Sequence, residues 1–132
     1  MNIRSVSLSL LCLMLMGCQE PARAGQIEAQ DAIRAILGEA GPSYAERLAI
    51  AHAIRNRGHL GGVYGRSKAP TATDWQNGCR AWQEASSSSL DPVRGATHWL
   101  SDWDLKHAKP RLTKFRFAMT ETAYIGHTHF YR

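Results

Sequence analysis

The sequence predicts an α+β fold, mainly α, built as one small domain with a short β element and a C-terminal strand. Two neighbouring segments carry apolar residues at helical spacing: Ala32, Ile33, Ile36 and Leu37, then Leu48, Ile50, Ala51 and Ile54. Gly58 to Gly65 holds four glycines, which suits a loop or a small hairpin. The last segment, Ala123 to Tyr131, is rich in aromatic and β-branched residues and reads as a terminal strand.

The chain begins with a short basic lead, Met1-Asn2-Ile3-Arg4, followed by an apolar run from Val6 to Met16. That run is too short to span a membrane and suits the core of a signal peptide. Leu15-Met16-Gly17-Cys18 resembles a lipobox, so residues 1–18 are expected to form a signal peptide ending at a lipid-modified Cys18. Residues 19–26 then form a polar tether, and residues 27–132 one domain. Ala22-Arg23-Ala24 is the competing site, for ordinary signal peptidase. On the lipobox reading Cys79 is the one thiol left in the mature domain, a small buried residue between Trp75 and Trp82, and no intramolecular disulfide forms.

The domain opens with a helix that carries Glu39 at its end. Gly41-Pro42 breaks that helix, and Ser43-x-x-Glu46 reads as a capping box that starts the next, running from Ser43 to Arg57 and stopping at Gly58. A helix from Thr73 to Glu84 carries Trp75 and Trp82, and Ser86 to Ser89 is a polar tract. Asp91-Pro92 reads as an N-cap and first helical position, opening a helix to about Ser101.

Glu39 is the first candidate for catalysis. A carboxyl held between a core wall and a cleft has its charged form disfavoured, which suits a general acid. The tryptophans Trp75, Trp82, Trp99 and Trp103 offer ring faces for sugars or for the core, and Trp103, flanked by Ser101, Asp102 and Asp104, is the best surface candidate. The net charge is +5, but the basic residues are scattered apart from Lys106, Lys109, Arg111, Lys114 and Arg116. No nucleic-acid-binding motif is present, and envelope polymer or lipid headgroups suit this charge better.

Gly38-Glu39-Ala40 with Glu46 and Ile54-Arg55-Asn56-Arg57, then Asp91 to Trp99, then Ile125-Gly126-His127-Thr128-His129-Phe130-Tyr131, together resemble the SleB/CwlJ-type cell wall hydrolase family. The resemblance covers nearly all of residues 27–132. It implies a lysozyme-like, lytic-transglycosylase-related domain that cleaves the glycan strands of peptidoglycan, with Glu39 matching the family's catalytic acid. The family often has an arginine where Gly41 stands, and the loop from Gly58 to Lys68 is richer in glycine than is usual there. Tyr64, Asn56, His98, Trp103, His129 and Tyr131 are the expected substrate-binding residues. No metal or cofactor is expected, and the protein is expected to be a monomer whose partners are peptidoglycan and, through Cys18, a membrane.

Glycoside cleavage usually needs a second carboxylate. Glu46 reads as structural, and Asp74, Asp102 and Asp104 stay open because no spacing favours one of them. The simplest mechanism then uses Glu39 alone, giving an anhydro ring if the sugar's own hydroxyl closes and a hydrolase if water attacks. A second enzyme class is a zinc-dependent peptidoglycan endopeptidase using His98, Asp102 and His129, since the two histidines of His127-x-His129 share one face of a strand. A third reading is a catalytically silent peptidoglycan-binding lipoprotein. The expected location is the periplasmic face of the outer membrane of a two-membrane bacterium, or, with the ordinary cleavage site, the soluble periplasm or the medium.

Overall fold

The computed structural model describes residues 26–107 and 118–132. The leader, Cys12, Cys18 and nearly all of the tether lie outside the described residues, as do Lys109, Arg111, Lys114 and Arg116. The first helix, α1 (Ala29–Glu39), buries Ala32, Ile33, Ala35 and Ile36 along one stripe. It ends where Ala40 turns to extended backbone and donates its N–H to the Ile36 carbonyl. The second, α2 (Tyr44–Arg57), is almost wholly buried from Glu46 to Ile54 and closes at Gly58, whose N–H bonds the Ile54 carbonyl.

The capping box between them forms differently from the expected one. Ser43 makes no side-chain cap, and Glu46 reaches back to the Gly41 N–H at 3.0 Å. The Gly41-Pro42 turn brings that N–H within reach, and the same carboxylate also serves groups far along the chain. Arg47, next along α2, donates Nε to the Gly41 carbonyl at 3.2 Å, Nη1 to Asn77 at 2.8 Å and Nη2 to Asp74 at 3.0 Å. Adjacent acid and base therefore hold both polar groups of Gly41, and Arg47 ties the kink to the third helix. The Arg47 guanidinium, with the Thr71 hydroxyl, holds the Asp74 carboxyl below its usual range.

That third helix, α3 (Ala72–Ser87), starts at Thr71, whose hydroxyl accepts the Asp74 N–H at 3.1 Å. It runs past the expected end, so Ser86 and Ser87 are helical, their hydroxyls donating back to the Gln83 carbonyl at 2.6 and 3.3 Å. Cys79 is buried on α3 as expected, but it is disulfide-bonded and not a free thiol. The only other cysteines of the chain, Cys12 and Cys18, lie outside the described residues.

The expected helix after Asp91-Pro92 is absent. Asp91 does act as a cap, its Oδ1 accepting from Val93 N at 2.9 Å and its Oδ2 from Gly95 N at 2.8 Å. Arg94 and Gly95 then take left-handed φ values of 51° and 81°, which turns the chain out of helix after one tight turn. Residues expected to be helical form strand β1 (His98–Ser101), followed by a short helix α4 (Asp102–His107).

The expected terminal strand is a hairpin, β2 (Glu121–Ile125) and β3 (Thr128–Tyr131), joined through Gly126 at φ 62° and His127. The three strands form an antiparallel sheet in the order β1-β3-β2. His98 pairs with Tyr131, Trp99 with Phe130, and Leu100 with His129. The Gly58–Gly65 segment is a loop and adds no strand. The fold is α+β, with the small sheet set against the helices.

One core joins the layers. Ile33 and Ile36 of α1, Ile50 and Ile54 of α2, Val93, and Phe130 of the central strand are fully buried together. Each such side chain contributes about 1.5–3 kcal/mol of burial. Among the described residues no helix is long and apolar enough to cross a membrane.

Candidate active site

Glu39 is the last residue of α1, half-buried, and it lines a cleft of about 570 Å³. Arg57, Gly62, Val63, Tyr64, His98, Trp99, Leu100, Asp104 and Tyr131 line the rest. The cleft thus lies where the end of α1, the glycine loop after α2, and strands β1 and β3 meet.

Both oxygens of Glu39 are held. Gly65 N donates to Oε1 at 2.6 Å, and Trp99 Nε1 donates to Oε2 at 3.1 Å. The loop reaches the acid because it is tied to α1. Ser67 N donates to the Arg34 carbonyl at 2.9 Å, and Arg34 Nη1 donates to the carbonyls of Ser67 at 3.4 Å and Lys68 at 3.2 Å. The approach leaves no room for side chains: a Cβ on Gly65 would stand 2.5 Å from Glu39 Oε1, and one on Gly38 would collide with the Arg66 backbone nitrogen. The glycine richness of this loop is therefore what lets its backbone donate to the acid.

Of the residues expected to bind substrate, Tyr64, His98 and Tyr131 share the cleft with Glu39. Tyr64 is 90% exposed and stands at its edge, whereas Tyr131 is buried in its wall beside His98, its partner in the strand register. Burial first, and then the neighbouring Arg57 and His59, push the His98 imidazole below its ordinary value and favour its neutral form. Its Nδ1 lies 2.9 Å from the Thr97 hydroxyl.

The other expected residues sit elsewhere. Asn56 donates its side-chain amide to Asp91 Oδ2 at 2.8 Å and to the Ala96 carbonyl at 3.1 Å, so it fastens the 91–97 turn and does not line the cleft. Trp103 is 67% exposed, as its polar neighbours suggest, but its ring stacks on His107 at 4.6 Å outside the cleft lining. His129 joins a polar cluster at the far end of the sheet. Its Nε2 lies 2.9 Å from Asp102 Oδ1, its Nδ1 meets Glu121, and the Tyr124 ring packs on it at 4.3 Å. Asp102 also accepts from the Tyr124 hydroxyl at 2.8 Å and meets His127 Nδ1 at 3.3 Å; the Tyr124 and His129 bonds hold its carboxyl below the usual range.

Zinc ligation by His98, Asp102 and His129 would need three side chains converging on one point. His98 stands at the cleft, opposite Tyr131 in the register, while His129 lies opposite Leu100. Among the described residues no group of three His, Cys, Asp or Glu side chains is placed to hold a metal ion.

The open question of a second acid narrows on geometry. Asp74 is paired with Arg47 and Asp102 belongs to the sheet-end cluster, while Asp104 lines the cleft. Its Oδ2 is committed to Ser101, accepting from the backbone N at 3.0 Å and from the hydroxyl at 2.8 Å. Sequence reasoning placed Trp99 only among interchangeable tryptophans and missed its bond to Glu39. The cue was present in the strand-like His98-Trp99-Leu100 run, which the Asp91-Pro92 helix signal outweighed.

Glu46, read from sequence as structural, is 6% exposed and stands behind the site. Its Oε1 accepts from Gly41 N and from the Thr128 hydroxyl, each at 3.0 Å, and Oε2 from His127 N at 3.3 Å. It thereby joins the turn after Glu39 to the β2–β3 hairpin. Comparisons with protein-family models, with curated proteins and with solved structures give no match to this chain.

Proposed function

We propose that this chain cleaves the glycan strands of peptidoglycan from a lysozyme-like domain, with Glu39 as general acid and base. The observation that carries the reading is the placement of Glu39 at a helix end in an open cleft, with both oxygens anchored by donors from separate elements. Anchoring on two sides gives a proton donor a fixed position relative to a bound strand, which is what general acid catalysis needs. Tyr64 at the cleft edge offers an exposed ring face to a sugar, and His98 and Tyr131 of the sheet line the same cleft.

In this mechanism Glu39 delivers its proton to the glycosidic oxygen, and the leaving sugar departs as an alcohol. The resulting carboxylate then takes a proton from the group that attacks the oxocarbenium-like carbon. If that group is the sugar's own 6-hydroxyl, an anhydro ring forms and the enzyme is a lytic transglycosylase. If it is water, the enzyme is a hydrolase. Asp104 is tied to Ser101 through Oδ2, and Glu39 alone serves as acid and base in this mechanism. Lipid attachment at Cys18 would hold this activity at a membrane facing the wall.

The test digests purified peptidoglycan and identifies products by mass spectrometry. Anhydro-muropeptides or new reducing sugar ends support the reading, and Glu39→Gln, nearly isosteric but unable to give up a proton, is expected to lower the rate about 10²–10⁴-fold. Freed peptide amino groups, or binding with no cleavage at all, would overturn it.

A further inference from the structure

Arg57 ends α2 on the cleft wall, and its guanidinium has donors that no described residue receives. Its Nη2 donates to the Gly61 carbonyl. Its Nε is buried and has no hydrogen-bond partner, and among the described residues Arg57 makes no ion pair. A buried donor left unpaired is costly and uncommon in a folded protein.

Among the described residues neither acid of the cleft forms an ion pair with it. Glu39 is bonded to Gly65 and Trp99, and Asp104 to Ser101. The neutral form of His98 is favoured, partly by the positive charge of Arg57 itself. Arg57 is thus a permanent cation on the wall that faces a bound strand. Gly62 keeps its flank open, since a Cβ there would stand 2.9 Å from Nη2.

We propose that Arg57 is a carboxylate receptor, so that the cleft selects glycan strands bearing free carboxylates near the bond to be cut. The buried Nε is out of a ligand's reach, so a carboxylate is met by the terminal nitrogens of the guanidinium, and a charge-assisted bond of this kind is worth about a tenfold gain in affinity or more. The inference rests on the glycan-cleaving reading of the cleft and names the substrate chemistry that reading leaves open. Two sources present this group, the lactyl carboxylate of peptide-free strands and the carboxylates of stem peptides.

The experiment uses the Glu39→Gln chain, so that binding is read without turnover. Its affinity is measured for native sacculi and for sacculi whose carboxyls have been converted to neutral amides. Native sacculi are expected to bind about tenfold more tightly. Arg57→Gln in the same background is expected to erase that preference by weakening only the native arm, whereas Lys68→Gln, the same charge change outside the cleft lining, keeps it. Competition by peptide-free glycan strands assigns the lactyl group, and competition by free stem peptides assigns the stem.

Equal binding of native and amidated sacculi overturns the proposal, as does an Arg57→Gln change that weakens both arms alike. The contrast between the two sacculi needs no Arg57 variant, so it decides the matter even if that variant misfolds. Cleavage of both sacculi at equal rates by the unmutated protein would sink the carboxylate receptor while leaving glycan cleavage standing. Failure to bind or cleave either one would remove both.

Discussion

Trp99 donates its indole N–H to Glu39 across 3.1 Å, joining the first strand of the sheet to the last residue of the first helix. The two residues are sixty positions apart in the chain, and the bond holds one carboxylate oxygen of Glu39 in the cleft. Trp99→Phe keeps most of the ring packing and removes this donor. It is expected to lower kcat about tenfold with little change in KM, because the lost bond positions the acid and holds no substrate. Steady-state kinetics on soluble glycan oligomers check this, and an unchanged kcat would remove Trp99 from the mechanism.

The Gly65 backbone holds the other oxygen of Glu39. Gly65→Ala would put a methyl 2.5 Å from Oε1, so the Glu39 side chain or the loop must shift and the 2.6 Å bond is disturbed. The expected result is an activity loss of about ten- to a hundredfold with the helices intact by circular dichroism.

Glu46 is a stability residue. Glu46→Gln turns one acceptor oxygen into a donor facing the Gly41, His127 or Thr128 donors, at a cost of about 1–3 kcal/mol. Gly126→Ala is expected to cost at least as much, since its Cβ would collide with Glu46 Oε2 and its φ is 62°. Thermal melts should fall by about 4–8 °C per kcal/mol.

Acid should destabilise the fold through His52. Its imidazole is buried, and burial pushes its proton affinity below the ordinary value despite the opposing pull of Asp91. The unfolded chain therefore binds this proton at a higher pH than the folded one does. The stabilising difference is fully present above about pH 6.5 and is lost as pH falls through and below that value, at about 1.4 kcal/mol for each tenfold difference in proton affinity. His98, shifted in the same direction, adds to the effect. Denaturant melts from pH 7.5 to pH 5 should show the loss, and His52→Gln should shallow it; an identical pH slope would contradict the assignment.

Cys79 supplies a test of anchoring. With Cys12 and Cys18 the only other cysteines, a thioether on Cys18 of the cleaved chain and a disulfide from Cys79 within that chain exclude one another. If the lipobox is used, envelope-extracted protein takes up labelled palmitate, Cys18→Ser does not, and Cys79 alkylates without prior reduction. Unlabelled protein whose Cys79 alkylates only after reduction would show that the lipobox is unused.

The first three helices were legible because each is specified locally. The apolar stripes of α1 and α2, the Gly41-Pro42 break, the Gly58 stop and the position of Glu39 follow from neighbours within a few residues. Where local signals conflicted, long-range pairing won. Asp91-Pro92 starts a helical turn, but β1 gains a partner in β3 that no nearby residue announces. The three groups around Glu39 come from residues 39, 65 and 99, and Glu46 meets Thr128 across eighty-two positions. Sequence alone pointed to Glu39 as the candidate acid, because a helix end beside a kink is a local property. Its two donors, the shared cleft with Tyr64, His98 and Tyr131, and the unpaired Arg57 were decided only by tertiary structure, because which backbone N–H or indole reaches a carboxylate depends on how distant segments pack against a common core.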